Sequence, residues 1–188
     1  MTASFLVSTV VVAIAEIGDK TQLLSLLLAA RFRKPLPIIV GILLATLLNH
    51  ALAGLLGEWV RAQLSPDTLR WALGLSLLAI AAWTLKPDKF EGQVTQAGRY
   101  GVFVLSFVMF FLAEIGDKTQ IATVALAARF DSVLLVTAGT TLGMMLANVP
   151  VVLFGDAIAK RLPLRAIRIA AALVFMVLGA LALIGIDM

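Results

Sequence analysis

The chain has 188 residues, 61% of them hydrophobic and only 14% charged, with a net charge of +4, one histidine and no cysteine. Soluble domains lie nearer roughly 45–50% apolar and 25% charged, so a mean hydropathy of +1.04 marks a membrane protein. Disulfides and thiolate metal sites are excluded, and the basic residues lie at the ends of apolar runs rather than in a basic domain that would bind nucleic acid.

The first apolar run, Ser4 to Ala30, is long enough to cross a hydrocarbon core of about 30 Å. It lacks the basic start and short apolar centre of a cleavable signal and is read as a retained helix. In its middle stands EIGDKTQ, Glu16 to Gln22. On an ideal helix Glu16, Asp19 and Lys20 share one stripe and can face a bundle interior together, with Thr21 and Gln22 on the flanks. Gly18 points the other way, as a site of close helix approach or a hinge.

The second run, Leu36 to Leu56, carries Asn49 and His50 near its middle and ends at Gly57-Glu58. The third, Leu69 to Leu85, leads into the one polar connection of any size, Lys86 to Tyr100. The fourth, Val102 to Ala128, holds EIGDKTQ again, as Glu114 to Gln120. The fifth, Val133 to Phe154, contains Asn148 and is followed by Gly155-Asp156; the sixth is Arg168 to Ile186. Trp59, Trp71, Trp83 and Tyr100 fall at run ends, as an interfacial aromatic belt predicts.

Adding 98 to a residue number in the first half lands on its counterpart without a gap: Glu16 on Glu114, Leu28 to Phe32 on Leu126 to Phe130, Gly41 on Gly139, Arg70 on Arg168. The predicted fold is therefore all-α and polytopic: a single transmembrane domain over residues 1–188, with repeat one at 1–86, a linker at 87–98 and repeat two at 99–188. Three helices per repeat is an odd number, so the second copy enters the membrane from the opposite side. Six transmembrane helices then form two inverted three-helix repeats, the plan of many secondary transporters. With Lys20 and Lys118 set aside, ten basic residues fall on one side of such a membrane protein, Arg31, Lys34, Lys86 and Arg165 among them, against Arg61, Arg70 and Arg129 on the other. That bias predicts both termini outside the cytoplasm.

A charged side chain at the bilayer centre costs about 2.5–3.5 kcal/mol, so two copies of Glu, Asp and Lys represent on the order of 15–20 kcal/mol before pairing. A purely structural reading has Lys20 neutralising Glu16 and the pairs holding helices together. Bringing the inverted copies together at the midplane instead predicts a cage of Glu16, Asp19, Glu114 and Asp117, with Thr21, Gln22, Thr119 and Gln120 close by. Asn49 and Asn148 are further carbonyl ligands or interhelical hydrogen-bonding groups. Four carboxylates and two lysines leave −2, the charge one divalent cation cancels. Oxygen ligands suit magnesium, calcium or manganese, whereas no cysteine and a single histidine argue against zinc or copper. His50 reads as a satisfied packing residue ahead of a ligand, because its counterpart Asn148 is not ionisable. Clustered acids cannot all stay ionised without a counter-charge, so some hold protons when no metal is bound. A site open alternately to the two sides would exchange protons for the cation, with Lys20 and Lys118 as the ion-pairing groups that couple the two. Glu58 and Asp156 either guide ions or sit among headgroups.

Two complete copies of Glu-x-Gly-Asp-Lys-Thr, one per half and spanning essentially the whole chain by the repeat, resemble the Gdt-type family of Golgi-type manganese/calcium–proton antiporters. The resemblance implies exchange of manganese or calcium against protons, with Glu16, Asp19, Glu114 and Asp117 as the core of the ion site and no cofactor beyond the transported ion. Without the long acidic central loop of many eukaryotic members, the chain is similar to the bacterial manganese exporter branch, which implies the inner membrane and export from the cytoplasm. A homodimer is left open. Three other classes compete. An intramembrane aspartyl protease would carry Gly-x-Gly-Asp, where this chain has glutamate in the first position. An amino-acid exporter of a duplicated six-helix type must bind a carboxylate that four midplane acids would repel. A passive divalent-cation channel would conduct without proton coupling.

Overall fold

The computed structural model describes residues 2–87, 101–155 and 163–185. Among these the chain is all-helical: α1 (Thr2–Glu16), α2 (Lys20–Phe32), α3 (Pro35–Gln63), α4 (Pro66–Thr84), α5 (Gly101–Glu114), α6 (Lys118–Arg129), α7 (Val133–Phe154) and α8 (Leu164–Ile184). Local chemistry sets several of these bounds. Pro35 opens α3 and Pro66 opens α4, at positions where a missing N–H costs nothing. Ser65 and Ser132 cap α4 and α7 by accepting the backbone N–H of Thr68 and Leu135.

The two runs that carry EIGDKTQ are not continuous helices. Each divides at its glycine, α1 from α2 at Gly18 and α5 from α6 at Gly116, and the α1–α2 pair is bent by 69°. The expected single stripe of Glu16, Asp19 and Lys20 on one helix is thereby replaced: Glu16 ends one helix, and Asp19 and Lys20 begin another. Helices α3, α7 and α8 are each long and apolar enough to cross a membrane, and the bent α1–α2 pair makes a fourth when its two helices are taken as one broken span. Helix α4 is shortened as an apolar span by Asp67 and Arg70 in its opening turns, and α5 alone has 14 residues. A broad set of leucines and aromatics, among them Leu6, Leu36, Trp59, Leu134 and Phe154, faces outward, as a lipid-contacting surface requires.

Two apolar clusters hold the bundle. One joins Val11, Leu73, Ala125, Val136 and Phe175 from α1, α4, α6, α7 and α8. The other joins Leu24, Ile42, Phe110 and Val152 from α2, α3, α5 and α7. The halves interlock through close backbone approaches at small residues, the usual means of packing helices where lipid offers no hydrophobic drive. A Cβ added at Gly41 of α3 would lie 2.8 Å from Ser106 Cβ and 3.0 Å from Phe103 O of α5. A Cβ added at Gly139 of α7 would lie 3.0 Å from Ser8 Cβ and 2.5 Å from Phe5 O of α1. Each of these residues is its counterpart's number plus 98, so the same contact is made twice with the halves exchanged.

The three arginines assigned to the less basic side do converge. Arg61, Arg70 and Arg129 line one cavity of about 560 Å³ together with Asp67, Asp131 and Gly185. Trp59, Trp71 and Trp83 are exposed. Tyr100, residues 88–98 of the linker and Asp156 lie outside the described residues.

Candidate metal centre

EIGDKTQ is a helix break with its own cap. Helix α1 ends at Glu16, whose carbonyl accepts the N–H of Asp19 at 3.1 Å. Gly18 takes φ +83°, a left-handed conformation in which any side chain would be strained. Asp19 then caps α2, accepting the Lys20 N–H at 2.7 Å. Three residues on, Gln22 Oε1 reaches back to accept the Gly18 N–H at 2.8 Å, a capping box displaced by one residue. The second copy repeats the device: Gly116 has φ +72°, Asp117 Oδ2 accepts from Thr119, and Gln120 Oε1 accepts the Gly116 N–H at 2.7 Å. The aspartates therefore sit at helix N-termini, where aligned backbone dipoles favour negative charge.

The bundle brings the two breaks together. One carboxylate oxygen each from Glu16, Asp19 and Asp117 lie within 4.8 Å of one another, with all three residues buried. The lysines cross between the copies. Lys20 Nζ lies 2.8 Å from Asp117 Oδ1, and Lys118 Nζ lies 3.0 Å from Asp19 Oδ1. Lys20 pairs with Asp117 of the other copy, where the structural reading had it neutralise Glu16. The site is also lopsided: the Lys20 side chain is 25% exposed and that of Lys118 only 3%.

Glu114, the fourth carboxylate of the expected cage, is buried as well but is not one of the three within 4.8 Å. Its Oε1 accepts from Thr46 Oγ1 at 2.8 Å, and its Oε2 lies 3.9 Å from His50 Nε2. The flanking polar residues are engaged in different ways. Thr21 Oγ1 donates to Glu16 Oε2 at 2.5 Å, and Thr119 Oγ1 to Asp117 Oδ2 at 3.2 Å. Gln22 Nε2 donates to Ala147 O at 3.0 Å, while Gln120 Nε2 lies 3.5 Å from Asn49 Oδ1, so both amides are occupied in bracing the breaks. Asn49 Nδ2 donates to Phe111 O at 3.1 Å. Asn148 donates to Met144 O and accepts from Ser25 Oγ at 2.7 Å. Both asparagines thus make the interhelical hydrogen bonds that competed with ligation, and Asn49 Oδ1 remains directed at the second motif. Glu58 is exposed and lies within α3 rather than at its end.

Sequence reasoning passed over Thr46 and Ser25. Neither belongs to the motif, and their partners are 68 and 123 residues distant, so no local pattern singles them out. The break itself did leave a signal in the spacing Asp-x-x-Gln after glycine, which is the capping-box pattern.

Buried acids paired with lysines at two helix breaks are the kind of intramembrane charge that marks an ion pathway in carriers. The family model described as the divalent cation/proton antiporter GDT1 matches residues 4–92 and 102–187. This chain belongs to the GDT1 family. A Vibrio cholerae protein named "Putative manganese exporter" is 57% identical over 174 residues, 92% of this chain and 86% of its own length. A GDT1-like protein of Synechocystis is 27% identical over 93% of this chain and 94% of its own length. GDT1-like protein 3 of rice is 30% identical over 83% of this chain, which spans 64% of that longer relative. No solved structure matches the chain. As a GDT1 protein it belongs to a family of membrane transporters of divalent cations.

Proposed function

We propose that this GDT1 protein exports manganese from the cytoplasm in exchange for protons, with calcium as a second substrate, through a six-crossing bundle of two inverted repeats over residues 1–86 and 99–188. The observation that carries the reading is the junction of Glu16, Asp19 and Asp117 within 4.8 Å, drawn from both halves. The repeated exchange of contacts at Gly41 and Gly139 supports the two-fold plan. The name of the Vibrio relative supports manganese, and an all-oxygen cluster suits a hard divalent ion.

Glu16, Asp19 and Asp117 hold the ion, and Glu114 is the adjoining acid that receives it or a proton. Counting Glu16, Asp19, Glu114 and Asp117 as −4 and Lys20 and Lys118 as +2 leaves −2, which one divalent ion or two protons balance equally. An incoming cation competes with Lys20 for Asp117 and with Lys118 for Asp19, so loading loosens both links between the halves. Protonated acids release the lysines in the same way. Only the balanced states, one metal or two protons, let the site turn from one side of the membrane to the other. Thr21 and Thr119 orient carboxylate oxygens, and Gln22 and Gln120 hold the breaks in place. Their own carbonyls and that of Asn49 complete the shell when the cluster rearranges.

Flux of manganese and of calcium into proteoliposomes under an imposed pH gradient tests this. Uptake driven by the gradient and lost in Asp19→Asn and Asp117→Asn supports the antiporter. Uptake indifferent to the gradient would establish a channel, and no metal flux would return a small-solute exporter to first place.

A further inference from the structure

His50 is a buried polar side chain beside the motif glutamate Glu114 with no hydrogen bond of its own. Its residue is fully buried in α3, and neither ring nitrogen has a hydrogen-bond partner. A buried polar group left unbonded costs roughly 1–3 kcal/mol, which a packing residue such as methionine would avoid. The sequence expectation of a satisfied packing histidine is therefore not met. Its counterpart in the repeat, Asn148, is satisfied on both sides of its amide, so the two halves differ here in kind.

The imidazole faces a second unbonded atom. His50 Nε2 lies 3.9 Å from Glu114 Oε2, which accepts no hydrogen bond although Glu114 is buried. That separation is too long for a hydrogen bond. Two ligands bound at roughly 2.0–2.2 Å to one first-row ion lie about 3–4.4 Å apart across the range from right-angled to linear. The 3.9 Å gap falls inside it.

We propose that His50 Nε2 and Glu114 Oε2 form a nitrogen–oxygen coordination pair, a station beside the three-carboxylate cluster, and that this imidazole makes the carrier prefer a first-row transition ion to calcium. Calcium is held by oxygen alone, whereas a first-row transition ion takes imidazole nitrogen as well as oxygen ligands, so a nitrogen donor weighs against calcium. Glu114 ties the station to the cluster, since its carbonyl accepts the N–H of Asp117 at 3.0 Å. The proposal rests on the reading of the chain as a divalent-cation carrier and adds the residue that sets its selectivity.

The test is pulsed electron paramagnetic resonance of Mn(II) bound to the purified full chain, for the intact protein, His50→Asn, His50→Gln and Asp117→Asn, with paired manganese and calcium uptake into proteoliposomes. The intact chain is expected to show imidazole nitrogen coupling to the bound ion. His50→Asn should abolish the coupling and lower manganese uptake relative to calcium on the order of tenfold, and His50→Gln, which retains an amide of similar reach, should do the same. Manganese that binds the intact chain without nitrogen coupling, and is lost in Asp117→Asn, would overturn the role of His50 and leave the carboxylate site in place. An unchanged manganese-to-calcium ratio in both histidine variants would overturn it equally, and failure of the intact chain to bind manganese would overturn this proposal together with the carrier reading. The nitrogen coupling is read on the intact chain, so a variant that fails to fold does not remove the test.

Discussion

The Lys118 ammonium lies 3.0 Å from Oδ1 of Asp19, the aspartate of the other motif, with the Lys118 side chain 3% exposed and that of Asp19 fully buried. Removing one partner of a buried ion pair leaves the other as an uncompensated charge, at about 3–5 kcal/mol. Asp19→Asn should therefore lower the melting temperature in detergent. Asp117→Asn should do so less, because its partner Lys20 is 25% exposed and can reach solvent. Combining Asp19→Asn with Lys118→Met should recover much of the stability while transport stays absent. Equal melting of the two single variants would show that the buried pairing is not as described.

Gly116 separates backbone conformation from packing. Its φ is +72° and nothing lies within 4 Å of an added Cβ, whereas a Cβ at Gly18 would meet Leu164. A left-handed residue with a side chain costs roughly 1–2 kcal/mol. Gly116→Ala should therefore lose transport activity with a modest fall in stability, and Gly18→Ala should lose more of both. Wild-type flux in Gly116→Ala would mean that the break tolerates straightening.

Gln22 accepts the Gly18 N–H and donates to Ala147 O. Gln22→Leu leaves the half-buried Gly18 N–H without its acceptor and removes a hydrogen bond to Ala147 O, at roughly 1–3 kcal/mol in all. Gln22→Glu keeps the acceptor and loses only the donor, so it should melt above Gln22→Leu. The reverse order, read by thermal denaturation, would remove Gln22 from its bracing role.

Gly41 and Gly139 make equivalent approaches to α5 and α1. Gly41→Val and Gly139→Val should each destabilise by about 1–3 kcal/mol or more, the usual cost of forcing atoms into a packed contact. Chemical denaturation in detergent is the measurement. Unaltered stability in both would show that the halves do not interlock there.

Manganese affinity should fall as pH falls, because protons and the metal compete for the same carboxylates and only the ionised forms are ligands. Binding at several pH values, with released protons counted in weakly buffered solution, checks the sign and the number. Release of about two protons per ion would match the −2 net charge of the cluster.

The sequence by itself determined that this is a membrane protein with a duplicated unit, because composition, the 98-residue register and two copies of EIGDKTQ are properties of the string of residues alone. It also placed the acids in the interior, since burying them by accident twice would cost too much. The breaks at Gly18 and Gly116 were half legible: glycine followed by Asp-x-x-Gln is a helix start, but a long apolar run on either side outweighs it when periodicity alone is read. Only the tertiary structure decided which charges meet. Lys20 finds Asp117 and Lys118 finds Asp19 because the bends turn each helix start towards the opposite copy, and no spacing along the chain encodes that crossing. The surroundings of Glu114 have the same kind of origin: Thr46 and His50 come to it from α3, and contacts between residues 64 to 68 positions apart are set by how helices pack rather than by any local pattern.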